Sequence, residues 1–76
     1  MKYKVDQYCF SSGEWVYEFT DYFATRKEAM GWIDYQVSEW KRAMRSGSFT
    51  DGFKSGKWIV YRNDKEYYKY SIKKLK

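Results

Sequence analysis

Alternation of apolar and polar residues in the first third of the chain predicts a β-hairpin. Residues 2–10 and 14–20 alternate in polarity and are rich in strand-forming residues, and Ser11-Ser12-Gly13 between them is typical of a tight turn. Side chains on a strand point to opposite faces with a period of two. The second strand therefore places its aromatic residues on one face: Trp15, Tyr17 and Phe19.

The period then changes to that of a helix. Thr25 followed three residues later by Glu28 is a capping box, in which the Thr25 hydroxyl accepts from the backbone N–H of Glu28. The helix is predicted from Arg26 to Arg45, and Gly47 can end it in a left-handed conformation. Apolar residues at helical spacing predict the buried stripe: Ala29, Ile33, Val37, Trp40 and Met44.

Residues 46–57 contain three glycines and show no periodicity, which predicts a long loop. Phe49 and Phe53 lie within it, although a passive linker needs no large apolar side chains. Two interpretations stay open: either the two rings fold back to close the core, or they are presented to a partner.

A second hairpin follows, with strands at Trp58–Arg62 and Glu66–Ile72. Asn63 and Asp64 between them accept the positive φ of a tight hairpin turn. A two- or four-residue loop predicts one face with Ile59, Tyr61, Tyr68, Tyr70 and Ile72, and an opposite face with Trp58, Val60, Arg62, Tyr67, Lys69, Ser71 and Lys73.

These elements predict an α+β fold with the order β-β-α-β-β in a single domain over residues 1–76. We expect two layers, with one amphipathic helix packed on one face of a mostly antiparallel four-stranded sheet. Nine Tyr, four Trp and five Phe supply the core and exceed what one helix can cover. One face of the sheet is therefore left for solvent, for another subunit or for recognition.

The residue types present argue against catalysis. The chain has no His and a single Cys, so neither a catalytic His nor a metal site built from His and Cys is available, and we expect no enzyme activity, no metal and no cofactor. Cys9 lies in an apolar alternation, which predicts a packed thiol. No segment resembles a signal peptide or a membrane span, so we expect a cytoplasmic protein without membrane contact.

Charge is unevenly distributed. Residues 54–76 carry eight Lys and Arg against two Asp and Glu, a net charge of +6, whereas residues 1–53 carry seven against eight. Clustered cations favour phosphate-bearing or acidic partners. We therefore expect binding through the outward face of the last hairpin and the adjoining loop, by Trp58, Arg62, Tyr67, Lys69, Lys73, Phe53 and Lys54, and the first strand can add Tyr8, Phe10 and Lys4.

Two functions fit this surface. The first is nucleic-acid binding: aromatic rings that stack on bases, flanked by cations, are what unpaired nucleic acid requires, and the same face could instead enter a duplex groove as a β-sheet reader. The same rings and cations could instead form a hot spot against an acidic host protein, in an inhibitor or regulator that occludes its target. Homodimerisation through the open sheet is compatible with both hypotheses.

Residues 22–32, with the sequence Tyr-Phe-Ala-Thr-Arg-Lys-Glu-Ala-Met-Gly-Trp, resemble the strand-to-helix junction of small arm-type DNA-binding domains. Such domains lie at the start of tyrosine recombinases of mobile elements, usually with three strands before the helix and a catalytic core behind it. Here two strands are predicted before the helix, and no site residue is assigned from the resemblance. In size and composition the chain is similar to small accessory proteins of phages and mobile elements, which commonly occlude a host protein.

Overall fold

The computed structural model describes residues 2–43 and 47–75, and within them the chain forms one helix and a five-stranded antiparallel sheet. The elements are β1 Tyr3–Ser11, β2 Glu14–Phe23, α1 Arg26–Ala43, β3 Phe49–Lys54, β4 Lys57–Arg62 and β5 Lys65–Lys74. Across the sheet the order is β2-β1-β5-β4-β3, so the long strands β1 and β5 lie side by side near its centre. The α+β class predicted from the sequence is confirmed.

The prediction of four strands was wrong, because part of the glycine-rich segment forms β3. This strand pairs with β4 from Phe49 opposite Arg62 to Lys54 opposite Lys57. A two-residue turn joins the strands, with Ser55 and Gly56 at φ 53° and 77°. Gly52, a weak strand former, obscured the alternation of this segment in the sequence. Ser46, at the start of the predicted loop, lies outside the described residues.

Helix α1 begins at Arg26, directly after Thr25, as the capping box predicted. The backbone N–H of Glu28 donates to the Thr25 hydroxyl at 3.1 Å, which satisfies one of the helix's first unpaired donors. The described part of the helix ends at Ala43, while Met44 and Arg45 of the predicted helix lie outside the described residues. Gly47 has a φ of 103°, a backbone conformation that glycine adopts without strain.

The core lies between α1 and one face of the sheet. Ala29, Ile33 and Val37 of the helix are buried, as the helical spacing predicted. They meet Val5, Val60 and Tyr70 from β1, β4 and β5. The buried Tyr70 hydroxyl accepts a hydrogen bond from Trp40 Nε1 at 3.1 Å, so its polar atom keeps a partner inside the core.

An irregular register in the second hairpin changes which side chains face the helix. Asn63 and Asp64 form the predicted two-residue turn, with φ of 51° and 64°. Tyr61 lies opposite Glu66, but Val60 lies opposite Tyr68, so Tyr67 is an extra residue in β5. The face prediction for β4 was therefore wrong: Trp58 and Val60 share the helix side with Tyr70 and Tyr68, whereas Ile59 and Tyr61 lie on the other side.

The first hairpin contains a second bulge with the same kind of effect. Gln7 lies opposite Phe19 and Tyr8 lies opposite Tyr17, which leaves Glu18 as the extra residue in β2. Phe19 consequently packs on the helix side, with its ring 6.1 Å from that of Trp32 between centroids. Trp15 and Tyr17 remain on the opposite side, so the three aromatic residues predicted to share a face are divided between two.

Candidate binding surface

The face of the sheet opposite α1, called here the helix-free face, combines aromatic rings with lysines. Its composition follows from the register, because partners across neighbouring strands lie on the same face. Tyr17, Tyr8, Lys69 and Ile59 form one such row across β2, β1, β5 and β4. The aromatic residues of the face are Tyr8, Phe10, Trp15, Tyr17, Tyr22 and Tyr61, and its cations are Lys4, Lys54, Lys57, Lys69 and Lys73.

A lysine and four rings pack together at the β1–β2 end of this face. The Lys69 Nζ lies 4.6 Å from the centroid of the Tyr8 ring and 4.8 Å from that of the Trp15 ring. Phe10 meets Trp15 edge-on at 5.0 Å, and Tyr17 meets Tyr8 edge-on at 5.8 Å. We call these five residues the ring cluster. Each cation–π contact at a partly exposed site contributes roughly 0.5–1 kcal/mol, which holds the Lys69 ammonium over the rings.

The electrostatic environment of Lys69 disfavours its own charge. Partial burial lowers the pKa of its ammonium group, and the positive charge of Lys57 lowers that pKa further. A neighbouring anion would relieve both effects, because it offsets lost hydration and screens the repulsion between the two lysines. An anion beside Lys69 would therefore stabilise the charged form of its side chain.

A chain of hydrogen bonds positions Tyr17 within the ring cluster. Asp6 is only 5% exposed, accepts a hydrogen bond from the Thr20 hydroxyl and lies 3.6 Å from the Lys4 Nζ. The Tyr17 and Thr20 hydroxyl oxygens are 2.6 Å apart. Because the Thr20 proton is directed to Asp6, the Tyr17 hydroxyl is the donor in this second bond. The hydrogen bond to Thr20 thus holds the Tyr17 hydroxyl in place, while Tyr17 stays 55% exposed.

The structure separates the site residues that the sequence predicted. Lys69 and Lys73 lie on the helix-free face, as does Lys54, whose position opposite Lys57 places it there. Trp58 lies on the helix side, where its Nε1 donates to Asp51 Oδ2 at 2.8 Å. Phe53 packs against Trp58 with 6.2 Å between ring centroids, so it too lies on the helix side.

Arg62 and Tyr67 also belong to the helix side. The Arg62 guanidinium lies 5.9 Å from the centroids of both the Phe49 and Tyr67 rings, and Tyr67 meets Trp40 of α1 at 5.8 Å. The predicted centre of the surface at Trp58, Arg62, Tyr67 and Lys69 is therefore not one surface. Phe49 packs against the core, in agreement with one of the two interpretations of the glycine-rich segment.

Sequence reasoning missed the contribution of β2. Tyr8, Phe10 and Lys4 of β1 were expected as additions to the outer face, and the register places them there. Trp15 and Tyr17 were assigned only to an unspecified face of their strand. The signal that could have found them is the pairing of an aromatic alternation in each strand of a short hairpin, because cross-strand neighbours share a face.

Two further features lie away from the helix-free face. Burial raises the pKa of the Cys9 thiol, and the nearby Glu18 carboxylate raises it further, which disfavours the reactive thiolate. An open cleft of about 650 Å³ lies at the start of α1, with Lys2, Thr25, Arg26 and Lys74 among its lining residues.

Within residues 2–43 and 47–75, no three His, Cys, Asp or Glu residues are grouped so that they could hold a metal ion. In the same part of the chain, no helix has the length and apolar character needed to cross a membrane. No protein-family model matches the chain, and searches of curated proteins and of solved structures found no significant match.

Proposed function

We propose that this protein is a non-enzymatic binding module that holds single-stranded nucleic acid on its helix-free face. The observation that carries the proposal is the ring cluster, in which the Lys69 ammonium lies within 5 Å of the Tyr8 and Trp15 ring centroids. The Lys69 ammonium lies over these two rings and is placed to contact a phosphate, while the exposed rings of Tyr17 and Tyr22 on the same face are left to contact a base. The chain has no His, the side chain whose ordinary pKa lies near neutral pH.

The balance of charge on this face supports an anionic, extended ligand. Among the described residues, this face carries five lysines and two acidic residues, Asp6 and Glu66. Asp6 is already paired with Lys4 and accepts a hydrogen bond from Thr20. Lys73, Lys69, Lys57 and Lys54 are spread over β5, β4 and β3 rather than concentrated at a point. A distributed set of cations can follow successive phosphates of a strand.

Exposed ring area favours a single strand over a duplex. Tyr17 and Tyr22 are each 55% exposed, which leaves ring surface available for contact with a base. A base must be unstacked from its neighbours before it can lie on a protein ring, and this is readily achieved only in single strands. Each base stacked in this way contributes about 1–3 kcal/mol.

The test is fluorescence anisotropy with labelled single-stranded DNA, single-stranded RNA and duplex DNA at low salt. Replacing Tyr17 by Ala should weaken single-strand binding by about fivefold or more, the equivalent of one lost stacking contact. Lys69→Ala should weaken it as well. Tyr35→Ala and Lys27→Ala are matched controls, because both side chains are exposed on α1, with Tyr35 60% exposed.

The controls should leave the affinity within about twofold of wild type, since α1 covers the opposite face. Circular dichroism and urea unfolding establish that each variant is folded. Absence of binding to every oligonucleotide at low salt would refute the proposal. An equal loss of affinity in the control variants would also refute it, because binding would then not depend on the helix-free face.

A further inference from the structure

Strand β2 forms an open edge of the sheet. It is ten residues long, and within the described part of the chain it pairs with β1 on one side only. An edge strand presents backbone donors and acceptors that can pair with another extended chain. Bulges, charges and short length usually protect such edges, and β2 has a bulge and three charges but is not short.

All charged residues on β2 are acidic. Glu14, Glu18 and Asp21 are exposed, and the strand has no Lys or Arg, so its net charge is −3. The chain as a whole has 15 basic and 10 acidic residues, which leaves 15 against 7, or +8, outside β2. The edge is thus an acidic strip on a basic protein.

The carboxylates lie on the helix side of β2 together with exposed apolar side chains. Asp21 lies opposite Val5 of the core, and Glu18 accepts a hydrogen bond from Gln7 Nε2 at 2.7 Å. Val16 and Phe19 on the same side are 42% and 40% exposed, because α1 does not extend over them fully. The opposite side of the strand carries only uncharged residues: Trp15, Tyr17, Thr20 and Tyr22.

We propose that β2 accepts an extended, Lys- and Arg-rich segment of a partner protein as a sixth strand of the sheet. Main-chain hydrogen bonds supply affinity in this mode of recognition, and alternate side chains supply specificity. A segment with basic residues at every second position would place them beside Glu14, Glu18 and Asp21. Its intervening apolar residues would then lie beside Tyr17 and Tyr22 on the other face.

The same charges argue against a second copy of this chain as the occupant. Pairing β2 with β2 of another copy would bring two sets of three carboxylates together, and like charges on adjacent strands destabilise a sheet. Nucleic acid is disfavoured for the same reason. The carboxylates therefore disfavour both a second copy and nucleic acid as the occupant of this edge.

The probe is a labelled, capped peptide of about ten residues with alternating Lys and Val, long enough to span β2. Binding is measured by fluorescence anisotropy, and amide chemical shifts locate it. Three control peptides test whether binding depends on charge and on strand pairing. The first alternates Glu and Val, and the other two are Lys-Val peptides with N-methyl groups on all Lys residues or on all Val residues. One of the N-methylated peptides should lose binding, because a strand donates from alternate residues toward its neighbour.

The protein variants test the acidic strip. Glu14→Lys with Asp21→Lys should weaken binding of the Lys-Val peptide by about tenfold, because two attractions become repulsions. Asp34→Lys with Glu66→Lys changes the net charge equally, and both residues are exposed away from β2. This control should shift the affinity by no more than about twofold.

Peptide binding that ignores N-methylation, or that the control variant weakens equally, would overturn the proposal, as would absence of binding at low salt. A wild-type dimer with β2 amides protected from hydrogen exchange would identify a second copy as the occupant and overturn it too. Glu14→Lys with Asp21→Lys should weaken peptide binding but not oligonucleotide binding, because it only adds positive charge to the protein. The nucleic-acid proposal and this one can therefore fail independently.

Discussion

Asp51 on β3 connects the edge of the sheet to the helix. Its carboxylate accepts hydrogen bonds from the Lys41 ammonium of α1 and from Trp58 Nε1. Burial by itself would raise the pKa of Asp51, but the hydrogen bonds from Lys41 and Trp58, with the positive charge of Lys41, lower it below its ordinary value. The ionised form therefore stabilises the folded state.

Asp51→Asn should lower the free energy of unfolding by about 1 kcal/mol near neutral pH, because the charge-assisted bond to Lys41 is lost. With a lowered pKa in the folded state, this stabilisation is fully present above the unfolded value of 3.8 and is lost as pH falls through the folded value. Urea unfolding of both proteins at about pH 7 and about pH 2.5 checks this, because the difference should shrink at the lower pH.

The matched control at the residue scale is Asp34→Asn, which removes an exposed carboxylate on α1. Its effect should be small at both pH values, since surface charges without a specific partner contribute little. A difference between wild type and Asp51→Asn that stays constant down to about pH 2.5 would show that the Asp51 charge does not stabilise the fold.

At the scale of elements, three two-residue turns determine how the strands meet. Ser12-Gly13, Ser55-Gly56 and Asn63-Asp64 all have positive φ at both residues, the conformation that suits right-twisted hairpins. Glycine occupies the second position of the first two turns. Asp64 occupies it in the third at a φ of 64°, where an L side chain is strained.

Asp64→Gly should raise the free energy of unfolding by a few tenths to about 1 kcal/mol, because relief of the strained backbone exceeds the added entropy of the unfolded chain. Urea unfolding measures the change. Asp34→Gly in α1 provides a control of opposite sign and should lower stability by a few tenths of a kcal/mol, roughly the difference in helix propensity between Asp and Gly. A loss of stability in Asp64→Gly would show that the Asp64 side chain contributes more than its backbone strain costs.

The two β-bulges are features that the alternation of apolar and polar residues did not predict. A single extra residue reverses the side of every residue beyond it, because the side-chain period is two. With Tyr67 as an extra residue in β5, Trp58 and Val60 lie on the helix side instead of the predicted face. With Glu18 as an extra residue in β2, Phe19 lies on the helix side as well. Neither Glu18 nor Tyr67 is a Gly or another residue whose local preference indicates a bulge, so the pattern of the sequence does not predict either position.

For the whole molecule, the separation of charge determines how binding should depend on salt. The helix-free face carries five lysines, whereas the carboxylates of β2 lie on the other side of its edge. A nucleic acid bound to the helix-free face would contact these lysines and not the basic residues of α1. Each phosphate that a protein neutralises releases bound counterions, so affinity falls with salt in proportion to the number of contacts.

The logarithm of the single-strand binding constant should fall against the logarithm of salt concentration with a slope between about −2 and −3.5, as expected for three to five phosphate contacts. Anisotropy titrations at several NaCl concentrations measure this slope. Lys73→Ala should make it shallower by about 0.7, while Lys27→Ala on α1 should leave it unchanged. A slope near zero, or an equal change in both variants, would contradict electrostatic binding by this face.

The sequence by itself determined the local elements of this protein. Thr25 and Glu28 located the start of α1, the spacing of Ala29, Ile33 and Val37 identified its buried stripe, and Asn63-Asp64 identified a turn. These features depend on residues within one helical turn or one hairpin loop. Local preference suffices to determine them, which is why the α+β class could be predicted.

Only the tertiary structure decided which side chains share a surface. The ring cluster joins Trp15 of β2, Tyr8 of β1 and Lys69 of β5, which are far apart in the chain. Their meeting depends on strand order and on two bulges, both of which are determined by packing between distant segments. β3 is likewise a strand because β4 supplies its hydrogen bonds. The low strand preference of Gly52 argues against a strand here, so the local sequence does not predict this pairing.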